Sequence, residues 1–169
     1  HADSAVPPAT QAAAAPLTPV ASQSLAPLWA SRLMGKYHYK AMPLDDAMSE
    51  KIFDRYFKAL DGEKLFLLQS DVDQFDVVRT KLDDAINSEN LTLPFTMYNV
   101  YQQRFNERIA YARELLKTNF DFTVDERFKI DREKTACPTP DEDERDLCRK
   151  RVKKHGTRLR MACTKAKPT

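Results

Sequence analysis

Three glycines, Gly35, Gly62 and Gly156, serve a chain of 169 residues, where an average protein carries about 7% glycine. Tight hairpin turns depend on residues that accept positive φ, so this chain has few places to reverse a strand. Helices are the expected alternative. The wide spacing of the three glycines also removes the P-loop, the GxGxxG turn and the GxSxG elbow, all of which need neighbouring glycines. Apolar residues make up 42% and charged residues 31%, enough for one folded domain with a modest core plus tails. No stretch approaches the roughly 18 continuous apolar residues of a membrane span.

Hydrophobic periodicity places the elements. Residues 1–21, rich in alanine and proline, show no period and read as a disordered leader. A first helix is expected from Ser22 to about Tyr39, with Leu25, Leu28, Trp29, Leu33 and Met34 near one face. A second follows "MPLDD", its stripe formed by Met48, Ile52, Tyr56 and Leu60 and widened by Phe53 and Phe57. Gly62 is expected to end it as a left-handed residue, and "LFLL" to form a buried connector. Ser70 is expected to cap a third helix carrying Val72, Phe75, Val78, Leu82, Ala85 and Ile86. Pro94 opens the longest helix, to about Thr118, with Tyr98, Tyr101, Phe105, Ile109, Ala112 and Leu116 on one face. Gln102, Gln103, Arg104, Asn106, Glu107, Arg108 and Glu114 form its solvated side. "TPDE" at Thr139–Glu142 reads as a fifth helix start. The fold class is therefore all-α, about five helices in an irregular bundle, with domains expected at 22–136 and 137–169 after the leader.

The chemistry is sparse. No S-x-x-K pair occurs, and His38 in "KYHYK" reads as a cap or surface residue. The spaced carboxylates of "SDVDQFD" and "DFTVDERFKIDRE" lack the glycine and terminal glutamate of a calcium loop. Cys137, Cys148 and Cys163 have neither CxxC spacing nor a histidine at zinc-finger distance. Tyr98, Tyr101 and Phe105 read as core rather than a base-stacking platform, and Trp29 as packing. No catalytic, cofactor-binding or metal-binding residue is expected. From Arg149 onward the chain has nine bases and no acid, leaving 18 bases against 25 acids before it. Helix-dipole pairing accounts for much of that asymmetry, and the acidic body argues against nucleic acid.

The stretch "KIFDRYFKALDGEKLFLLQSDVDQF" (51–75) resembles the amino-terminal helical region of bacterial tail-specific proteases, the periplasmic carboxy-terminal processing peptidases. Lys51, Ile52, Phe53, Asp54, Arg55, Tyr56, Leu60, Asp61, Leu67, Leu68, Ser70 and Asp71 fit the family pattern. So do His38–Tyr39, Arg104–Phe105 with Tyr111, Asp121–Thr123 and Asp131–Lys134. The resemblance spans about 25–153. It implies a parent enzyme with a PDZ-like domain for apolar C-termini and a catalytic domain with a serine nucleophile and a lysine base. Neither domain is matched here, so the chain alone is expected to be an inactive scaffold, exported to the periplasm, without cofactor. Its expected partners are proteins: the protease body, an adaptor lipoprotein or substrates. The alternative is a stand-alone adaptor-binding or decoy module from a truncated gene. The family tends to carry tryptophan where Cys137 and Cys148 stand. Past about Lys154 the pattern is expected to lapse, with Gly156 interrupting the helix.

Overall fold

A computed structural model describes residues 15–20, 23, 27, 30, 43–140 and 142–165. Within them are five helices and no strand: α1 (Asp46–Asp61), α2 (Gln69–Asp76), α3 (Leu82–Asn87), α4 (Thr92–Leu116) and α5 (Glu142–Lys165). The expected first helix at 22–39, with Trp29 and His38, lies outside the described residues apart from isolated positions. The count of five therefore agrees for a different reason, because the expected third helix is two.

α1 begins where the Asp45 carboxylate accepts the Met48 N–H at 2.9 Å, an acidic N-cap at the positive end of the helix. Its buried line runs through Ser49 and Phe53, with Ile52, Tyr56 and Phe57 flanking it. Phe53 meets Phe75, Leu82 and Met97 in the central core. The Tyr56 hydroxyl donates to Pro94 O at 2.8 Å, tying α1 to the first turn of α4. Burial, with Tyr98 nearby, pushes the Tyr56 phenol up to about 12.

Ser49 explains the break between α2 and α3. Fully buried, it donates to Arg79 O at 2.8 Å and accepts the Leu82 N–H at 2.8 Å. Both backbone groups would serve intrahelical bonds if 70–86 were one helix. The side chain from α1 takes them instead, and residues 77–80 turn. Val77 is consequently 77% exposed. Arg79 anchors the turn through Asp76 (2.8 Å) and Asp54 (2.6 Å), with its guanidinium 4.8 Å from the Phe53 ring centre. Ser49→Ala leaves the Leu82 N–H without an acceptor in a dry site, so stability falls by about 2 kcal/mol. A urea titration checks this; a change below about 0.5 kcal/mol removes Ser49 as the cause of the break.

Gly62 is not the left-handed residue expected: its φ is −59°, and Lys64, at φ 51°, makes the turn. Glycine is needed at 62 for space, since a Cβ there would stand 2.8 Å from Lys58 O. Ser70 is not the cap of α2 either. The helix begins at Gln69 after Leu68, and the Asp71 carboxylate reaches back to accept the Leu68 N–H at 3.0 Å. Gly156 does not interrupt α5, which continues to Lys165; a Cβ there would meet only Phe122 carbons, the nearer at 3.6 Å.

Candidate docking surface

Of the "LFLL" connector, expected to be buried, Leu67 and Leu68 are buried while Leu65 and Phe66 are partly exposed, and Asp61 organises it. At the last position of α1 its carboxylate accepts three backbone N–H groups, Leu65 (2.8 Å), Phe66 (2.9 Å) and Leu67 (2.8 Å). Successive N–H groups converging on one anion make a small positively polarised nest, filled here by the chain's own side chain. The result aims Leu67 and Leu68 inward. Phe66 lies against α4, 5.8 Å edge-on to Tyr101 and 5.1 Å from Phe105.

Arg104 and Arg108, assigned to the solvated side of α4 by periodicity, face the protein. Arg104 makes a bidentate pair with Asp71, both contacts 2.9 Å. Burial is the largest single influence on Asp71 and raises its pKa. The Arg104 hydrogen bonds, the Leu68 N–H and the Arg104 charge outweigh it and hold the carboxyl below the ordinary value. Arg108, 6% exposed, pairs with Glu144 at the start of α5 and points Nη2 at Phe66 O, 3.4 Å away. Cys148 Sγ approaches Arg108 O at 4.0 Å. An apolar cleft of ≈ 290 Å³ lies beside it, lined by Phe66, Phe105, Leu147 and Val152 among others. That is where a larger side chain than cysteine would fit. Burial pushes the thiols of Cys137 and Cys148 up; both are free, while the side chain of Cys163 lies outside the described residues.

Residues 117–140 form an irregular strap pinned at several points. Lys58 bonds Glu133, Lys64 donates to Thr135 O, and Gln69 N donates to Pro138 O at 3.0 Å. Glu126 receives both Arg149 and Lys153 from α5, and Lys153 also donates to Val124 O at 3.0 Å. The Arg149 and then the Lys153 hydrogen bonds bring the Glu126 carboxyl to about 2. An unfolded glutamate near 4.5 takes up its proton first, so this stabilisation is complete above that value and is lost as pH falls toward 2. Asp71 acts in the same sense. The urea midpoint is expected to hold from pH 7 to about 5 and then decline, with Glu126→Gln flattening the decline between about pH 4.5 and 2. Superposable profiles for parent and variant would show that charge does not hold the strap.

Between the strap and α5 runs an open groove of ≈ 790 Å³. Phe122, Val124, Phe128, Ile130 and Met161 give it apolar walls, with Ile130 69% and Met161 54% exposed. Lys150, Lys154 and Arg158 stand among them. Much of the basic charge of α5 is used internally: Arg149 and Lys150 on Asp146, Lys153 on Glu126, Lys154 over Phe128 and Arg151 over Phe66. Among the described residues no group of three or more His, Cys, Asp or Glu could hold a metal ion, and no helix is long and apolar enough to cross a membrane.

The family model described as the tail specific protease N-terminal domain matches residues 30–169. That match continues past Lys154, where the motif pattern was expected to lapse. A tail-specific protease of Haemophilus influenzae is 41% identical over 125 residues, covering 73% of this chain and 18% of that protein. The chain thus spans less than a fifth of this relative's length.

Proposed function

The chain belongs to the tail-specific protease N-terminal domain family, and on that premise we propose that it is a non-catalytic helical scaffold and docking domain. The observation that carries the reading is the groove between strap and α5: apolar walls left open on a framework cross-tied by ion pairs. A surface of that kind suits a protein partner. The partner would be the protease body, an adaptor lipoprotein or a substrate protein, in the periplasm. The family's serine–lysine endoproteolysis, selecting apolar C-termini, has no matched residues in this chain. The internal use of α5 bases supports protein rather than nucleic acid as the partner. Incubated alone with a substrate bearing an apolar C-terminal tail, the chain is expected to give no cleavage; robust turnover sinks the reading. Crosslinking to the remainder of a tail-specific protease is expected to weaken with Ile130→Asp. The same exposed groove favours a second reading, a stand-alone adaptor-binding or decoy module. Intact mass in a periplasmic fraction separates the two: a species near 19.4 kDa supports the second, a much larger one the first.

A further inference from the structure

The solvated face of α4 carries a ridge of side-chain amides: Asn99, Gln102, Gln103 and Asn106, three or four residues apart and therefore neighbours on one helical surface. Asn99 is already in use. Its Nδ2 donates to Leu17 O at 2.8 Å and its Oδ1 accepts the Leu17 N–H at 2.9 Å. One carboxamide thus satisfies both backbone groups of a single residue. That contact ignores the leucine side chain, which is 47% exposed. The seated segment, residues 15–20, has no regular secondary structure and reads Ala-Pro-Leu-Thr-Pro-Val. Its prolines fix their own φ and bias Ala15 and Thr18 toward extended geometry, so little entropy remains to be lost on docking.

The ridge continues beyond Leu17. A groove of ≈ 400 Å³ runs along α4, lined by Pro16, Thr96, Asn99, Gln102, Asn106 and Glu107 among others. Gln103 bonds Glu107 at 2.9 Å, whereas Gln102 and Asn106 make no hydrogen bond among the described residues. Asn99 and Asn106 lie about 10.5 Å apart along the helix axis. A polyproline-type chain presents the same side every three residues, about 9.3 Å. The two periods nearly match, so a longer segment of this kind can meet both amides.

We propose that this amide ridge of α4 is a backbone-reading site for an uncharged, proline-containing polypeptide segment supplied in trans, and that residues 15–20 occupy it in cis. The cis segment is a competitor held at high effective concentration. Its removal should therefore reveal the site. In the full-length chain, Leu17→Pro deletes the N–H that Asn99 accepts while leaving α4 intact. A fluorescein-labelled APLTPV peptide, followed by polarisation, is expected to bind the Leu17→Pro chain saturably and the parent more weakly. Adding Asn99→Ala to Leu17→Pro is expected to weaken binding at least about fivefold, the loss of two hydrogen bonds, with helical circular dichroism unchanged. Absence of saturable binding to Leu17→Pro, or equal affinity with and without Asn99, overturns the proposal and leaves the contact a purely internal one. If Asn99→Ala loses helicity, Asn106→Ala replaces it in a longer-peptide version of the titration using APLTPVAPLTPV; unchanged affinity there overturns the proposal too.

Discussion

Asp61→Asn lowers the stability of the chain by about 2–3 kcal/mol, although the substitution changes almost no volume. The carboxylate is 8% exposed and offers only acceptors to three converging donors: Oδ1 to Leu65 N–H, Oδ2 to Phe66 and Leu67 N–H. An amide has one acceptor oxygen. Even when that oxygen takes the Phe66 and Leu67 donors, the amide nitrogen must face the Leu65 N–H, donor against donor. Hydrogen bonds to a charged acceptor contribute about 1.5–3 kcal/mol, and an orphaned buried N–H costs about 1–3 kcal/mol. Asp61→Ala is expected to cost more, about 4 kcal/mol, because no acceptor remains. Urea denaturation reads both, and amide hydrogen exchange at 65–67 locates the effect. A loss spread evenly over the chain, without faster exchange in the connector, would contradict the local mechanism.

The connector also shows what a single sequence discloses. "LFLL" is apolar and bounded by Gly62 and Ser70, and the burial of Leu67 and Leu68 follows from composition alone. That Asp61 clamps it does not, because an acid at a helix C-terminus usually reads as an unfavourable dipole partner. The signal available was the Asp followed by a glycine turn and four consecutive apolar residues, whose N–H groups need an acceptor once buried. Helix existence was legible for α1 and α4, since each carries a long apolar period, and for α5 from its start signal at Thr139–Glu142. The break after Asp76 was not, because 70–86 keeps helical spacing throughout. It is imposed by Ser49, roughly 30 residues away in sequence, through bonds to Arg79 and Leu82. Periodicity likewise counts Arg104 and Arg108 as polar and assigns them to water. It cannot see that Asp71 and Glu144 arrive from elsewhere to neutralise them. The grooves on the strap and on α4 depend on how irregular segments lie, and no local pattern specifies that.

Arg108→Met lowers stability by about 2–3 kcal/mol, whereas Arg108→Met with Glu144→Met returns to within about 1 kcal/mol of the parent. Arg108 is almost fully enclosed, and its Nε finds no hydrogen-bond partner. The pair it makes with Glu144 therefore offsets a desolvation cost that is incompletely repaid. Removing the arginine alone strands Glu144, whose side chain is only 20% exposed, without its partner. Breaking a fully buried pair costs about 3–5 kcal/mol, and the residual exposure of Glu144 brings this one slightly below that range. Replacing both partners by methionine exchanges the pair for apolar contact with Phe66, Phe105 and Leu147, for which there is room. Such exchanges are frequently neutral or stabilising. Equal losses in the single and double variants would mean that Arg108 acts through the packing of its stem rather than through its charge. With the expected recovery, the pair links α4 to the start of α5 without being what keeps the chain folded.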